Sequence, residues 1–195
     1  MNPETLQLTT GGKKENRRAL DFYPTPPECT IALMEFLNLR PCTIWEPAAG
    51  DGAIVKVLEN YGHKVISTDI QTGHDFFYTV RECNAIITNP PFNLSYGFIE
   101  KSLYEADTVA MLLKSQYWHA KKRFDLYKQN PPSYVLPLTW RPDFMGGEGG
   151  GSPTMEVHWT VWIKGNTDCK YIPLKKPENK IVMQPDLFSS SSLQL

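Results

Sequence analysis

The sequence predicts an α/β fold in which a mostly parallel, doubly wound sheet is covered by helices on both faces. Short apolar runs alternate with helical patterns through the first two thirds of the chain, and this alternation is typical of parallel strand–helix–strand units. The last two runs are rich in β-branched and aromatic residues, and the segment that joins them has no helical pattern. This pair therefore favours an antiparallel, hairpin-like edge.

The first half of the chain contains two predicted helices and three predicted strands. "PPECTIALMEFLNL" has proline at the expected helix start and apolar residues that suit one buried helical face. "CTIWEP" is a short strand that ends in a turn, and "GAIVKVLENYG" is a helix that Gly62 closes. "KVISTDI" and "NAIIT" follow as the second and third strands.

The second half continues the alternation and then ends in strands. "LSYGFIEKSLYEA" is helical, and "TVAMLLKSQYW" is a buried strand candidate. "KKRFDLYKQN" is a helix that two prolines stop. "SYVLPLTW" and "MEVHWTVWIKG" form the predicted closing pair of strands.

Composition bounds the class of protein. The chain has 195 residues and a formal net charge of -1, so it fits one domain and has no global attraction to nucleic acid or to anionic membranes. Its four cysteines include no CxxC pair, which argues against a zinc site or a disulfide framework and suits a reducing cytosol. No signal peptide or membrane-spanning run is present, and the histidines have no metal-ligand spacing.

We expect a flexible arm over residues 1–18, one domain over 19–183 without a separate target-recognition domain, and a flexible tail over 184–195.

The loops after the first three strands should line one crevice, because ligands of such sheets bind outside the carboxyl ends of the strands. The first loop, "EPAAGDG", has small residues that let a ligand approach the backbone, although a plain strand-to-helix turn would have the same composition. Asp69 ends the second strand and suits two ribose hydroxyls. Asp75 and Phe76 could accept from an adenine amino group and cover its ring, but a helix cap and a core aromatic are the commoner roles of such residues.

The third loop carries the most specific chemistry. Asn89 and Pro90 each offer a carbonyl oxygen, and the proline ring fixes the backbone. Two rigid acceptors match an exocyclic amino group, which has two protons to donate, and Phe92 offers a flat face on which a base can stack. Fixed dipoles that pull on those protons would localise the nitrogen lone pair and so lower the barrier to its attack.

The motifs together resemble a known family. "EPAAGDG", "TDI", "DFF" and "NPPF", in this order and each after a predicted strand, resemble the class I S-adenosylmethionine-dependent methyltransferases that act on planar amino nitrogens. "NPPF" is most similar to the DNA adenine-N6 enzymes. "DFYPTPPECT" resembles the segment before the cofactor loop in the gamma-type motif order, and the small size resembles phage and prophage enzymes. The resemblance implies a Rossmann-like fold with seven strands, one of them an antiparallel edge strand.

The resemblance also implies site residues and a reaction, the transfer of a methyl group from S-adenosylmethionine to adenine N6 in DNA, with S-adenosylhomocysteine as the other product and no metal. The implied catalytic residues are Asn89, Pro90, Pro91 and Phe92. The implied cofactor-binding residues are Tyr23, Thr25, Pro26, Glu46, Ala48, Gly50, Asp69, Ile70, Asp75, Phe76 and Asn89. Phe92 is implied to stack on the target base, and Trp159 or Trp162 is a candidate for its other face, with core packing as the alternative for both tryptophans.

Contacts to the nucleic acid are expected from the basic segment that contains Lys121, Lys122 and Arg123, through phosphates. A paired base would have to flip out of its duplex. Little chain is left to read a sequence, so we expect short or relaxed specificity, or help from a second subunit or an accessory protein. Two alternatives stay open: the same fold acting on an RNA base amine or a protein glutamine, and a binding module without catalysis.

Overall fold

The computed structural model describes residues 24–145, 155–166 and 168–178. The predicted arm, the predicted tail and Tyr23 lie outside the described residues, as do residues 146–154 of the glycine-rich segment "WRPDFMGGEGGGSP", which the sequence suggests as a closing loop.

Four helices lie within the described part of the chain. The first of them, α1 (Pro27–Leu37), begins with proline, where no intrahelical N–H bond is lost, and its C-cap residue Asn38 adopts left-handed backbone angles (φ 45°). The last helix is short and follows a 3-10 turn at Lys121–Arg123. The helices are α1 (Pro27–Leu37), α2 (Ala53–Asn60), α3 (Ser95–Glu105) and α4 (Phe124–Gln129).

Seven strands form one sheet. They are β1 (Thr43–Glu46), β2 (Lys64–Ser67), β3 (Ala85–Thr88), β4 (Thr108–Lys114), β5 (Tyr134–Pro137), β6 (Val157–Ile163) and β7 (Lys170–Tyr171). Their order is β2-β1-β3-β4-β6-β5-β7. The pairs β1–β2, β1–β3, β3–β4 and β5–β7 are parallel, whereas β6 is antiparallel to both of its neighbours.

Both faces of the sheet are buried. Strand β3 shows this most simply, because Ala85 and Ile87 belong to one core and Ile86 belongs to the other. Helices α1 and α2 contribute to the first core, and α3 and α4 contribute to the second. A strand covered on both sides has no polar face, which explains why β3 and β4 read as continuous apolar runs.

The predicted doubly wound fold is confirmed: a seven-stranded, mostly parallel sheet with helices on both faces. The predicted antiparallel pairing of the last two long strands is also present, as β5–β6. Strand β6 lies between β4 and β5, however, so the outermost position of that edge is taken by β7. Strand β7 was not predicted, because its two residues are both exposed and carry no apolar pattern.

Within residues 24–145, 155–166 and 168–178, no helix has both the length and the apolar character needed to cross a bilayer. No cluster of three or more histidine, cysteine or acidic side chains there could hold a metal ion.

Candidate active site

The candidate site lies where strand order reverses. The chain passes from β1 to β2 on one side and later enters β3 on the other side of β1. This topology opens a crevice outside the carboxyl ends of β1 and β3. Because β1 to β4 are parallel, the loops that follow all four strands meet at this edge of the sheet.

The loop after β1 is held by backbone bonds to the loop after β2. Gly50 and Gly52 have φ angles of 53° and 80°, a left-handed conformation that residues with a Cβ rarely adopt. The N–H of Ala49 donates to the carbonyl of Thr68 at 3.0 Å. The loop therefore turns tightly beside the carboxyl end of β2.

Glu46, at the end of β1, is a fully buried carboxyl group. Its Oε1 accepts hydrogen bonds from the Thr88 hydroxyl at 2.5 Å and from the Ala48 N–H at 3.0 Å. Its Oε2 has no partner among the described residues. Burial, with a smaller contribution from the nearby Asp69, raises the pKa of Glu46 to about 8 against the opposing effect of these two bonds. A cation at Oε2 would satisfy the buried oxygen and restore the charged form.

Asp69 joins the first two loops. Its Oδ2 accepts from the Gly50 N–H at 2.9 Å, and its Oδ1 accepts from the Gln71 N–H at 2.8 Å. Each carboxylate oxygen can accept more than one bond, so the partly exposed group keeps capacity for two hydroxyls. The next residue, Ile70, has 65% of its surface exposed, which leaves an apolar side chain open to a flat ring.

Asp75 and Phe76 have different roles in the structure. Asp75 caps the 3-10 turn at Phe76–Tyr78 by accepting from the Phe77 N–H at 2.9 Å, and that bond uses one carboxylate oxygen. Phe76 is only 3% exposed and stacks on Phe98 with ring centroids 4.4 Å apart. Phe76 is therefore mainly a core residue, as the alternative interpretation of the sequence allowed.

The Asn89-Pro90-Pro91-Phe92 loop is a closed turn that links β3 to α3. The Leu94 N–H donates to the Pro91 carbonyl at 2.9 Å, and the Ser95 hydroxyl donates to the Phe92 carbonyl at 2.8 Å. No donor among the described residues bonds the carbonyl of Pro90 or the side-chain oxygen of Asn89. Two acceptors thus remain available on a rigid backbone.

Thr25 fixes the orientation of the Asn89 amide. The Asn89 Nδ2 donates to the Thr25 Oγ1 at 3.0 Å, across a sequence separation of 64 residues. Thr25 is itself buried, directly before α1. Because the amide nitrogen is occupied, the amide oxygen is the end left for another donor. The threonine hydroxyl accepts this bond and keeps its own proton, which it could still donate to a carboxylate.

Lys114 is a site residue that the sequence analysis missed. It ends β4, and its Nζ lies 4.1 Å from the centroid of the Phe92 ring, within cation–π range. In the sequence it reads only as the polar end of an apolar strand. Its position at the carboxyl end of a predicted parallel strand, beside the strand that carries the loop, was the signal that could have identified it.

The proposed aromatic partner of Phe92 is not found at the two candidate tryptophans. Trp159 is 0% exposed and donates its ring N–H to the Cys29 carbonyl at 2.8 Å. Trp162 is 4% exposed and donates to the Asn130 carbonyl at 2.9 Å. Both rings lie within the cores on either side of the sheet and have no free face for a base. The structure therefore favours the alternative interpretation, core packing, for both tryptophans.

The basic segment is only partly available for phosphates. Lys121 and Lys122 are exposed. The Arg123 guanidinium lies 3.8 Å from the centroid of the Tyr117 ring and donates to the Tyr117 carbonyl. Arg123 therefore has a structural role in this conformation, and the two lysines are the freer cations.

Comparison with protein-family models and with curated proteins finds no match. Solved structures do match. A putative class I S-adenosylmethionine-dependent methyltransferase from Listeria monocytogenes is similar with a TM-score of 0.56 at 11% identity, over 80% of this chain and 66% of that one. A putative RNA methyltransferase from Pyrococcus horikoshii has a TM-score of 0.51 at 17% identity, over 80% and 93%.

A third match is a modification subunit of a putative type I restriction enzyme from Vibrio vulnificus, with a TM-score of 0.53 at 11% identity. It covers 88% of this chain, which spans 54% of the length of that subunit. At these identities the likeness shows the fold alone, and the fold is the Rossmann-like class I methyltransferase fold.

Proposed function

We propose that this protein transfers a methyl group from S-adenosylmethionine to the exocyclic N6 amine of adenine in DNA. The observation that carries the proposal is the orientation of Asn89. Its amide nitrogen is bound to Thr25, so its oxygen and the Pro90 carbonyl form a pair of acceptors at the carboxyl end of β3. An amino group with two protons is the natural ligand of such a pair.

The residues of the crevice fit the cofactor. Glu46 has a buried oxygen without a partner among the described residues, and the ammonium of the methionine moiety is a cation that would satisfy it. Asp69 has spare acceptor capacity for the ribose hydroxyls, and Ile70 exposes an apolar side chain beside it. Thr25 can donate its proton to the methionine carboxylate. When bound, S-adenosylmethionine supplies a methyl group on a positively charged sulfur.

The two acceptors address the weakness of the amine as a nucleophile, since its lone pair is delocalised into the adenine ring. Pulling on both protons favours a pyramidal nitrogen with a localised lone pair. The same oxygens stabilise the positive charge that develops on the nitrogen, and they need no reorganisation because the loop is already closed by its own hydrogen bonds. One amino proton must afterwards leave to water, because neither an amide nor a peptide carbonyl is basic enough to keep it.

A nucleic-acid base is favoured over a side-chain amide by Phe92. A half-buried phenylalanine ring beside the acceptors offers a stacking face without a hydroxyl. The resemblance points the same way, since it implies tyrosine at this position in the glutamine-modifying enzymes of this fold. The likeness to a modification subunit of a restriction enzyme supports DNA, and the likeness to a putative RNA methyltransferase makes RNA the first alternative.

The test is to incubate the protein with S-adenosylmethionine carrying a labelled methyl group, in parallel with DNA, RNA and total cell protein. We expect label in DNA, recovered as N6-methyladenine after digestion to nucleosides. Label only in RNA or only in protein would contradict the DNA proposal and identify the alternative. Mapping N6-methyladenine across the DNA of an expressing host would then give the sequence preference.

Two variants separate the roles of the acceptor pair and the cofactor crevice. Asn89→Ala should lower the rate of methylation by about 100-fold or more, the usual effect of removing one such dipole. Asp69→Ala should instead weaken cofactor binding more than it disturbs the target base. Asn60→Ala, at the exposed end of α2, is the matched control for asparagine removal. Methylation by Asn89→Ala at the wild-type rate would contradict the role of Asn89.

A further inference from the structure

Lys114 is a cation that lies over an aromatic ring and has no counter-ion among the described residues. Its Nζ lies over Phe92, and the ion pairs of the described residues involve other lysines and an arginine. Lys101 also lies near an aromatic ring, but it is paired with Glu105 at 2.6 Å. Glu156 precedes the strand residue opposite Lys114, and its carboxylate is taken by Arg141 at 2.7 Å. A partly buried ammonium without an anionic partner favours an anionic ligand.

The sheet order places Lys114 on the target side of the crevice. The cofactor residues follow β1 and β2, whereas β4 lies on the far side of β3 from both. The Asn89-Pro90-Pro91-Phe92 loop at the end of β3 therefore stands between Lys114 and the residues expected to hold the methionine and ribose. The backbone of Lys114 is fixed by the pairing of Lys114 with Val157 in the antiparallel β4–β6 ladder.

We propose that Lys114 binds the phosphate of the target nucleotide, a role that rests on the proposed nucleic-acid substrate. Without substrate, the ammonium lies on the Phe92 ring. When a base stacks on that ring, its own phosphate arrives with it and offers the ammonium a full negative charge in place of the weaker ring quadrupole. The long, flexible lysine side chain can make this exchange without moving the strand.

The experiment measures binding of fluorescent adenine-containing oligonucleotides, single-stranded and duplex, over a series of salt concentrations. Lys114→Met should weaken binding about tenfold at low salt. It should also reduce the slope of log affinity against log salt concentration by about 0.7 for a single strand and about 0.9 for a duplex, the loss of one phosphate contact. Lys114→Arg should keep the slope, and the affinity of Lys114→Met for S-adenosylmethionine should equal that of the wild type.

Lys164→Met is the matched control. Lys164 pairs with Asp107, next to the amino end of the same strand β4, so its loss removes the same charge from the opposite edge of the sheet. We expect Lys164→Met to leave both the affinity for the oligonucleotide and the salt slope unchanged.

The outcomes separate the two proposals. If the wild type methylates nucleic acid and Lys114→Met keeps the full salt slope, the phosphate contact is refuted while the proposed function stands. A weaker affinity with an unchanged slope also refutes the contact, because Lys114 would then act only by packing on Phe92. If the wild type methylates protein but neither binds nor methylates oligonucleotides, the proposed function and the phosphate contact are both refuted.

Discussion

Exchanging Glu46 for glutamine removes a titratable group while keeping the size of the side chain and the acceptor that Thr88 and Ala48 use. In the folded protein this carboxyl is fully buried, and its pKa is about 8 instead of 4.5, chiefly because burial disfavours the charged form. The unfolded chain releases the proton near pH 4.5, whereas the folded chain retains it up to about pH 8. The contribution of Glu46 to stability is therefore complete below pH 4.5 and is lost as the pH rises toward 8.

The magnitude follows from linkage. Between pH 6.5 and pH 8.0, the pKa difference predicts that the wild type loses roughly 1.5 kcal/mol in its free energy of unfolding at this one site. In this window folded His158 is neutral, because burial lowers its pKa to about 4. The proton that unfolded His158 binds near pH 6.5 contributes equally to the wild type and to Glu46→Gln and cancels in their difference. Glu46→Gln should lose none of this free energy, so the difference in unfolding free energy between the two proteins should shift by the same amount in favour of the variant.

The assay is urea unfolding at the two pH values for the wild type, for Glu46→Gln and for Glu59→Gln, an exposed glutamate on α2 that serves as the control. The same drop in stability for Glu46→Gln as for the wild type would refute the argument. A calorimetric titration with S-adenosylmethionine extends the test. If the cofactor ammonium pairs with Oε2, the wild type should release a proton on binding at pH 7, and Glu46→Gln should bind more weakly and release none.

Two further predictions concern Thr25 and His158. Thr25→Val removes the acceptor that orients the Asn89 amide, so the methylation rate at saturating substrate should fall about tenfold, the cost of one lost hydrogen bond. Thr25→Ser keeps the hydroxyl and should restore the rate. A full rate in Thr25→Val would count against the orienting role of Thr25. For His158, burial lowers the pKa to about 4, so the wild type loses stability at this site as the pH falls from 6.5 to 4. The difference in unfolding free energy between wild type and His158→Leu should change by roughly 3 kcal/mol in favour of the variant over that range, with Glu46 cancelling in the difference, and a constant difference would refute the assignment.

Much of the fold could be predicted from the sequence because five of the seven described strands bury apolar side chains and β2 partly buries two more. The run that forms β4 is apolar enough to be recognised without any partner, and Gly62 marks the end of α2 by its left-handed backbone. The position of β6 between β4 and β5 could not be predicted, because strand order depends on contacts between residues far apart in the chain. Strand β7 is held by backbone pairing to β5 alone, and backbone pairing leaves no trace in side-chain identity.

The site was predicted unevenly for a related reason. Asn89, Pro90 and Phe92 form a local motif that predicts its own turn. The bond between Thr25 and Asn89, and the contact between Lys114 and Phe92, join segments that only folding brings together. The tryptophans of β6 were candidates only through the resemblance, and the structure packs Trp159 into one core and Trp162 into the other. The burial of these two side chains depends on the elements that cover both faces of the sheet, which the sequence of one strand does not show.

The place of β6 in the sheet has a consequence for how the protein is made. Strands β4 and β5 do not pair with each other, and β6 joins them through antiparallel ladders on both sides. As the chain leaves the ribosome, β4 and the Asn89-Pro90-Pro91-Phe92 loop emerge well before residue 163. Until then β4 has an open edge beside that loop, a surface that invites pairing with other chains. We therefore expect chains whose translation is arrested between β5 and β6 to aggregate. Insertion of β6 completes the sheet and covers the open edge of β4.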